Sequence, residues 1–140
     1  YFHELRGQML FENHRIAEAI PSYERAVALL PSSGLIKIEL ARALLQNPDA
    51  AGLRRAQALL ESVESKERDS GYWRQMSIVY DRIGDVGMRA LALAEIAYAR
   101  GDRVDAARHA TNAERMLRFG TPAHQRAQDI RFLAEQPRRN

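Results

Sequence analysis

The chain contains no cysteine, which removes disulfides, thiolate zinc sites and cysteine nucleophiles together. It has no uninterrupted apolar run approaching the roughly 20 residues needed to cross a bilayer as a helix, so no membrane span is expected. Valine, isoleucine and threonine are sparse beside alanine, leucine, arginine and glutamate, a balance that favours helices over sheets. Basic blocks interleaved with aromatics are missing apart from the short tail at Arg138 and Arg139, and nucleic acid is not expected as a partner. The net charge of +3 is spread among interleaved acids and bases, the pattern of a solvated helical surface.

Side chains for chemistry are equally thin. The four histidines are His3, His14, His109 and His124, and none belongs to the helical HExxH pair that sets two imidazoles on one face with a glutamate as base. His3-Glu4 is followed by Leu5-Arg6-Gly7, so the second imidazole is missing, and packing at the surface or at hairpin edges is the expected role of all four. Gly84 and Gly101 stand singly at helix turns and cannot form a phosphate-cradling loop. Ser22, Ser32 and Ser33 have no triad around them, and Ser32 or Ser33 is placed to cap the following helix. No catalytic, cofactor-binding or metal-binding residue is therefore assigned, and no enzymatic activity is expected of the chain itself. Its opening residues, Tyr1-Phe2-His3-Glu4, carry neither an initiating methionine nor the charged-then-apolar pattern of a signal peptide. The sequence reads as a piece of a larger protein, with any targeting signal or catalytic domain upstream.

What is present is a repeat. From Tyr1 to Ser33 the order Gly7, Ala19-Ile20, Tyr23, Ala26, Pro31 spells a helical hairpin, with small residues where two helices approach closely and a proline where the unit ends. About 34 residues further on the pattern resumes, with Leu40, Ala41 and Leu44 on a first helix and Ala56, Leu59, Leu60 and Val63 on a second. The intervening turn runs from Gln46 to Gly52. Pro48 cannot sit inside a helix, because it lacks an amide proton and clashes with the preceding turn, while Asp49 can cap the helix that follows. The polar stretch from Ser62 to Ser70 reads as a linker. Trp73, Tyr80 and Gly84-Asp85 mark a third hairpin, whose second helix, about Val86 to Arg100, is apolar on more than one face. Gly101-Asp102 repeats the glycine-aspartate turn, and Ala106, Ala110, Ala113 and Leu117 then recur at helical spacing. The segment from 86 to 117 can be divided in two ways, since Val86 to Arg100 serves as the second helix of one repeat or the first of another. A last helix from Thr121 to Gln136 begins with Pro122 and reads as a polar cap.

These markers resemble the tetratricopeptide (TPR) repeat. The expected fold is all-α, a TPR-like solenoid of antiparallel helical hairpins with about eight helices in one domain. Its hairpins fall at about 1–33, 34–69, 70–100 and 101–136, with 137–140 as a tail. His3 and Arg6 depart from the large aromatic and leucine that the family prefers. In TPR arrays the first helices of successive hairpins line a concave groove, and carrying those positions over gives candidate partner-binding residues. They are Glu4, Gln8, Phe11 and Glu12 on the first helix, Ile38, Arg42, Leu45 and Gln46 on the next, and Arg74, Ile78, Asp81 and Arg82 on the third. For Phe11, Leu45 and Ile78 packing against a neighbouring helix is the competing role. No lysine and asparagine pair recurs at the carboxylate-clamp positions, which argues against a chaperone C-terminus as ligand. The expected partner is a protein or peptide segment gripped by apolar contact and charge.

The stretches FHELRGQMLFE, SYERAVALLP, LARALLQ, YWRQMSIVYDRIGD, GMRALALAEIAYARGD and GTPAHQRAQDI resemble the C-terminal TPR region of bacterial BepA-like periplasmic zinc metalloproteases. The most specific of these words are Trp73 to Asp85, the LALAE that follows, and GTPA with RAQDI. The resemblance implies an upstream HExxH domain holding the zinc, a periplasmic location, and repeats that engage that peptidase domain and outer-membrane proteins or their assembly machinery. It assigns this chain the binding half only, within envelope protein quality control. The competing expectation is a free-standing TPR adaptor in the cytoplasm.

Overall fold

The computed structural model describes the backbone of residues 2–137 and the side chains of residues 15–137. The described residues form seven α-helices, one short 3-10 turn and no strand, so the protein is all-α. The chain divides into two compact units, Tyr1–Glu67 and Arg68–Asn140.

The first unit contains α1 (Phe2–Leu29), α2 (Gly34–Leu44), α3 (Ala50–Glu61) and the 3-10 turn Ser65–Glu67. The hairpin expected over residues 1–33 is replaced by α1, a single helix of 28 residues with Pro21 inside it, so the helices number seven where about eight were expected. The sequence supplies no strong stop between Gln8 and Ile20: helix formers dominate and neither glycine nor proline intervenes. Pro21 removes one backbone bond, to Ala17, without ending the helix. The next two ends are set by side chains. Ser33 caps α2 by accepting from the Ile36 N–H, and Asp49 caps α3 by accepting from the Ala51 N–H. Pro48 lies in the turn between them. Leu40, Ala41, Leu45, Ala56, Leu59, Leu60 and Val63 are buried and form the core of this unit, and Arg55 of α3 reaches Glu24 of α1 at 2.8 Å.

The second unit contains α4 (Ser70–Ile83), α5 (Val86–Ala99), α6 (Arg103–Met116) and α7 (Pro122–Glu135), each of 14 residues. One dipeptide solves two problems at each of its first two turns. Gly84 and Gly101 take left-handed φ values of 77° and 76°, which only glycine adopts cheaply. The next N–H then folds back five residues, Asp85 to Tyr80 O at 2.9 Å and Asp102 to Ala97 O at 3.0 Å, closing the old helix. The same aspartates open the new one, each accepting at 3.1 Å from the N–H three residues on, Met88 and Asp105. Thr121 does the equivalent for α7, with Pro122 at its first position.

Such tight turns make sequential helices antiparallel neighbours. α5 packs on α4, α6 and α7, which explains its apolar character on several sides and why its repeat assignment is ambiguous in sequence. Ala90, Ala94 and Ala97 of α5, Ala106, Ala110 and Ala113 of α6, and Ala127, Ile130 and Ala134 of α7 recur at helical spacing and are buried together. Tyr72, Gln75, Met76 and Val79 are the buried positions of α4. The flanks of α7 are tied by charge: Arg126 grips Glu95 of α5 with two hydrogen bonds, at 3.1 and 2.8 Å, and Arg131 pairs with Glu114 of α6 at 2.6 Å. The outer face of α7 is less polar than a cap requires, since Phe132 is 62% and Leu133 41% exposed.

Candidate interaction groove

In the first unit the face of α1 carrying Ile16, Ala19 and Tyr23 looks across to α2, to which α1 is joined by the short link Leu30 to Ser33. Because α1 runs on without a turn, among the described residues no helix folds back over that face, and an open groove of about 430 Å³ results, lined by Arg15, Ile16, Ala19 and Tyr23 of α1 and Glu39, Arg42, Ala43 and Gln46 of α2. Ile16, Ala19 and Tyr23 on α1, and Glu39, Arg42 or Ala43, and Gln46 on α2, follow one another at three or four residues, the spacing of one helix face, so the groove runs along both helices. Ala43 is buried and Ile16, Ala19, Tyr23 and Glu39 are half-buried, whereas Arg15, Arg42 and Gln46 are exposed, so the apolar lining lies deeper than the arginines at the rim. Arg42 and Glu39 pair on that rim at 2.9 Å with side-chain exposures of 57% and 34%.

Two of the residues expected to meet a partner, Arg42 and Gln46, are thus brought together on one wall. Ile38 and Leu45, expected beside them, are 8% and 3% exposed and belong to the core, because α2 uses that face to pack. The side chains of Glu4, Gln8, Phe11 and Glu12 lie outside the described residues. Arg74, Asp81 and Arg82 are exposed on α4 in the second unit and Ile78 is half-buried there; Asp81 forms a 3.5 Å ion pair with Arg89 of α5. The groove residues that sequence reasoning missed are Arg15, Ile16, Glu39 and Ala43, while Ala19 and Tyr23 were read as hairpin packing positions. Their visible signal is the apolar stripe on α1, which identifies a face without saying whether anything covers it.

The described histidines take packing roles. His124 is buried with its ring 5.1 Å from that of Phe119. His109 is half-buried on α6, and burial followed by the charge of Arg108 lowers its pKa below the usual value. Among the described residues no group of three or more histidine, aspartate or glutamate side chains is placed to hold a metal ion. No described helix is long and apolar enough to cross a membrane. No protein-family model, curated protein or solved structure matches this chain.

Proposed function

We propose that this chain is a protein-interaction module whose groove between α1 and α2 grips a segment of a partner protein. The observation that carries this reading is the groove itself, lined by four apolar or aromatic side chains together with two arginines, a glutamate and a glutamine. Such a mixture suits recognition of a peptide segment by shape and charge. The exposed Arg74, Asp81 and Arg82 of α4 are candidates for a second contact.

The same proposal takes the module to be the TPR-like partner-binding part of a periplasmic, BepA-like zinc metalloprotease acting in envelope protein quality control. Zinc and catalysis then reside in an upstream peptidase domain, and that domain and outer-membrane proteins are the partners. Helix spacing supports the repeat assignment: the first residues of α4 and α6, Ser70 and Arg103, lie 33 positions apart, and those of α5 and α7, Val86 and Pro122, 36 apart, bracketing the TPR period of about 34. The stretches Trp73 to Asp85, LALAE, and GTPA with RAQDI support the family.

A photo-crosslinking residue at Gln46 of the full-length protein in its cell tests the groove. An adduct with a partner that is lost in Ala43→Arg, with no such adduct from a probe at exposed Arg54 of α3, is the expected result. Equal adducts at both positions would remove the groove from the account. The reading frame upstream of Tyr1 tests the parentage. A signal sequence and an HExxH motif there support the protease, whereas a start codon immediately before Tyr1 excludes it and leaves a binding module alone.

A further inference from the structure

We infer that the end of the second unit carrying the α4–α5 turn and the α6–α7 link docks on an anionic lipid surface, a contact separate from the α1–α2 groove. Packing brings the two connections together. A Cβ built on Gly87, at the start of α5, would lie 3.0 Å from the Leu117 side chain and 3.4 Å from the Met116 carbonyl carbon. Leu117 packs inward against the core of the unit, but the apolar side chains around it do not. Ile83 and Val86 on either side of the turn and Met116 at the end of α6 are exposed, and Phe119 on the link is 86% exposed. Gly120, at a φ of 81°, turns the chain toward α7 and leaves Phe119 at the tip, with a tilted ring contact to His124. Single exposed apolar side chains are ordinary on a protein surface, whereas four on two adjoining connections form a patch.

Charge selects the occupant. This end carries Arg82, Arg89, Arg115 and Arg118 against Asp81 and Asp85. Asp81 pairs with Arg89, Asp85 accepts from the Met88 N–H, and Arg82 already has an interaction of its own. Glu114, the acid next to the link, is engaged by Arg131. Arg115 bonds the neutral Asn112 at 2.9 Å, and among the described residues no carboxylate pairs with it or with Arg118. The run Arg115-Met116-Leu117-Arg118-Phe119 thus mixes uncompensated cations with apolar groups. That is the composition of an interfacial anchor, in which apolar side chains enter the acyl boundary and guanidinium groups meet lipid phosphates. A protein partner is the poorer fit. Binding hot spots on proteins are well-packed and preorganised, whereas Phe119 has no walls beside it and Arg118, among the described residues, has no hydrogen bond to fix its fork. Fluid headgroups move to meet such groups. An anchor of this size gives reversible binding at the surface and not a span.

Co-sedimentation of the whole chain with vesicles is the test. Binding to an equal mixture of phosphatidylglycerol and phosphatidylcholine is expected to be about tenfold tighter than to phosphatidylcholine alone, and to weaken as salt rises. Phe119→Ser and the pair Arg115→Gln, Arg118→Gln should each lose most of that binding with an unchanged circular dichroism spectrum, while Arg54→Gln on α3 should keep it. Insertion is read in the variant Trp73→Phe, Phe119→Trp. The natural chain has one tryptophan, so this variant has a single indole, which lipids brominated in their tails should quench. Full binding by either link variant, or an unquenched indole in a vesicle-bound chain, overturns the inference. So does a chain that ignores both kinds of vesicle. If such a chain instead binds an acidic peptide in a manner lost in Phe119→Ser, the patch belongs to a protein partner; if it self-associates in that manner, the patch belongs to a second copy.

Discussion

The carboxylate of Glu67 accepts a hydrogen bond at 3.1 Å from the backbone N–H of Gly34, 33 residues earlier in the chain. Gly34 is the first residue of α2, where helix N–H groups lack intrahelical partners, and Ser33 already serves Ile36. Glu67, in the 3-10 turn, thus supplies by tertiary contact what a local cap cannot reach, and a negative charge beside the positive end of the helix dipole adds to it. The contact depends on glycine. A Cβ at Gly34 would fall against the Glu67 carboxylate.

Glu67→Ala is expected to destabilise the first unit by about 1 kcal/mol, the cost of an orphaned helix-end N–H. Gly34→Ala should cost a similar amount by displacing the carboxylate. The double variant should be more stable than the sum of the two predicts, because without Glu67 the new methyl meets no carboxylate and alanine favours the helix. Urea denaturation of all four proteins checks this cycle, and strict additivity would separate the two residues energetically.

This tertiary cap also marks where sequence stops informing. Asp49, Gly84-Asp85, Gly101-Asp102 and Thr121-Pro122 were legible because each does its work within a few residues of itself, through a cap or a left-handed φ. Glu67 could not be paired with Gly34, since no periodicity links a polar linker to a distant helix start. The groove was half legible for a related reason. Helical spacing puts Arg42 and Gln46 on one face of α2, but whether Ile16, Ala19 and Tyr23 are covered depends on whether α1 turns back. Its helix-forming residues provide no signal of a stop. Ile38 is buried where a partner-facing position was expected, and Leu45 takes the packing role that competed with it, because one face cannot be ranked above the next on a helix that is apolar around much of its circumference.

The two glycine-aspartate turns predict a matched pair of effects. Beyond the adjoining residues nothing lies within 4 Å of a Cβ built at Gly84 or Gly101, so alanine there meets no tertiary clash, and the penalty is the left-handed backbone alone, about 1 kcal/mol. Gly84→Ala and Gly101→Ala should lower the urea midpoint of the second unit by equal amounts, and asparagine, which tolerates this conformation better, should cost less at both. An alanine variant as stable as the parent at either site would show that its turn adopts another conformation.

The alanine seam predicts asymmetry between the units. Ala110 is fully buried between α5, α6 and α7, so Ala110→Leu must force the helices apart, at a cost of about 1–3 kcal/mol. Ala26 of α1 is only half-buried, and Ala26→Leu should cost less because a larger side chain can lean toward solvent. Thermal unfolding followed by circular dichroism ranks the two, and the reverse order would contradict the packing.

Acid sensitivity follows from the pair that ties α6 to α7. The hydrogen bond from Arg131, with a smaller contribution from Gln128, holds the Glu114 carboxyl below its usual value of 4.5, against burial, which pushes it up. Because the folded state binds this proton less readily than the unfolded chain, the stabilisation is complete above the unfolded value. It is lost as pH falls through the lower folded one. Arg131, whose own pKa is raised by the same contact, stays charged throughout. Glu114→Gln retains the shape and an acceptor but not the charge, so it should be less stable than the parent near neutral pH. The gap should close as acid protonates Glu114 in the parent. Urea midpoints of both proteins across the acid range measure that convergence, and a gap independent of pH would assign the contribution of Glu114 to packing instead of to its charge.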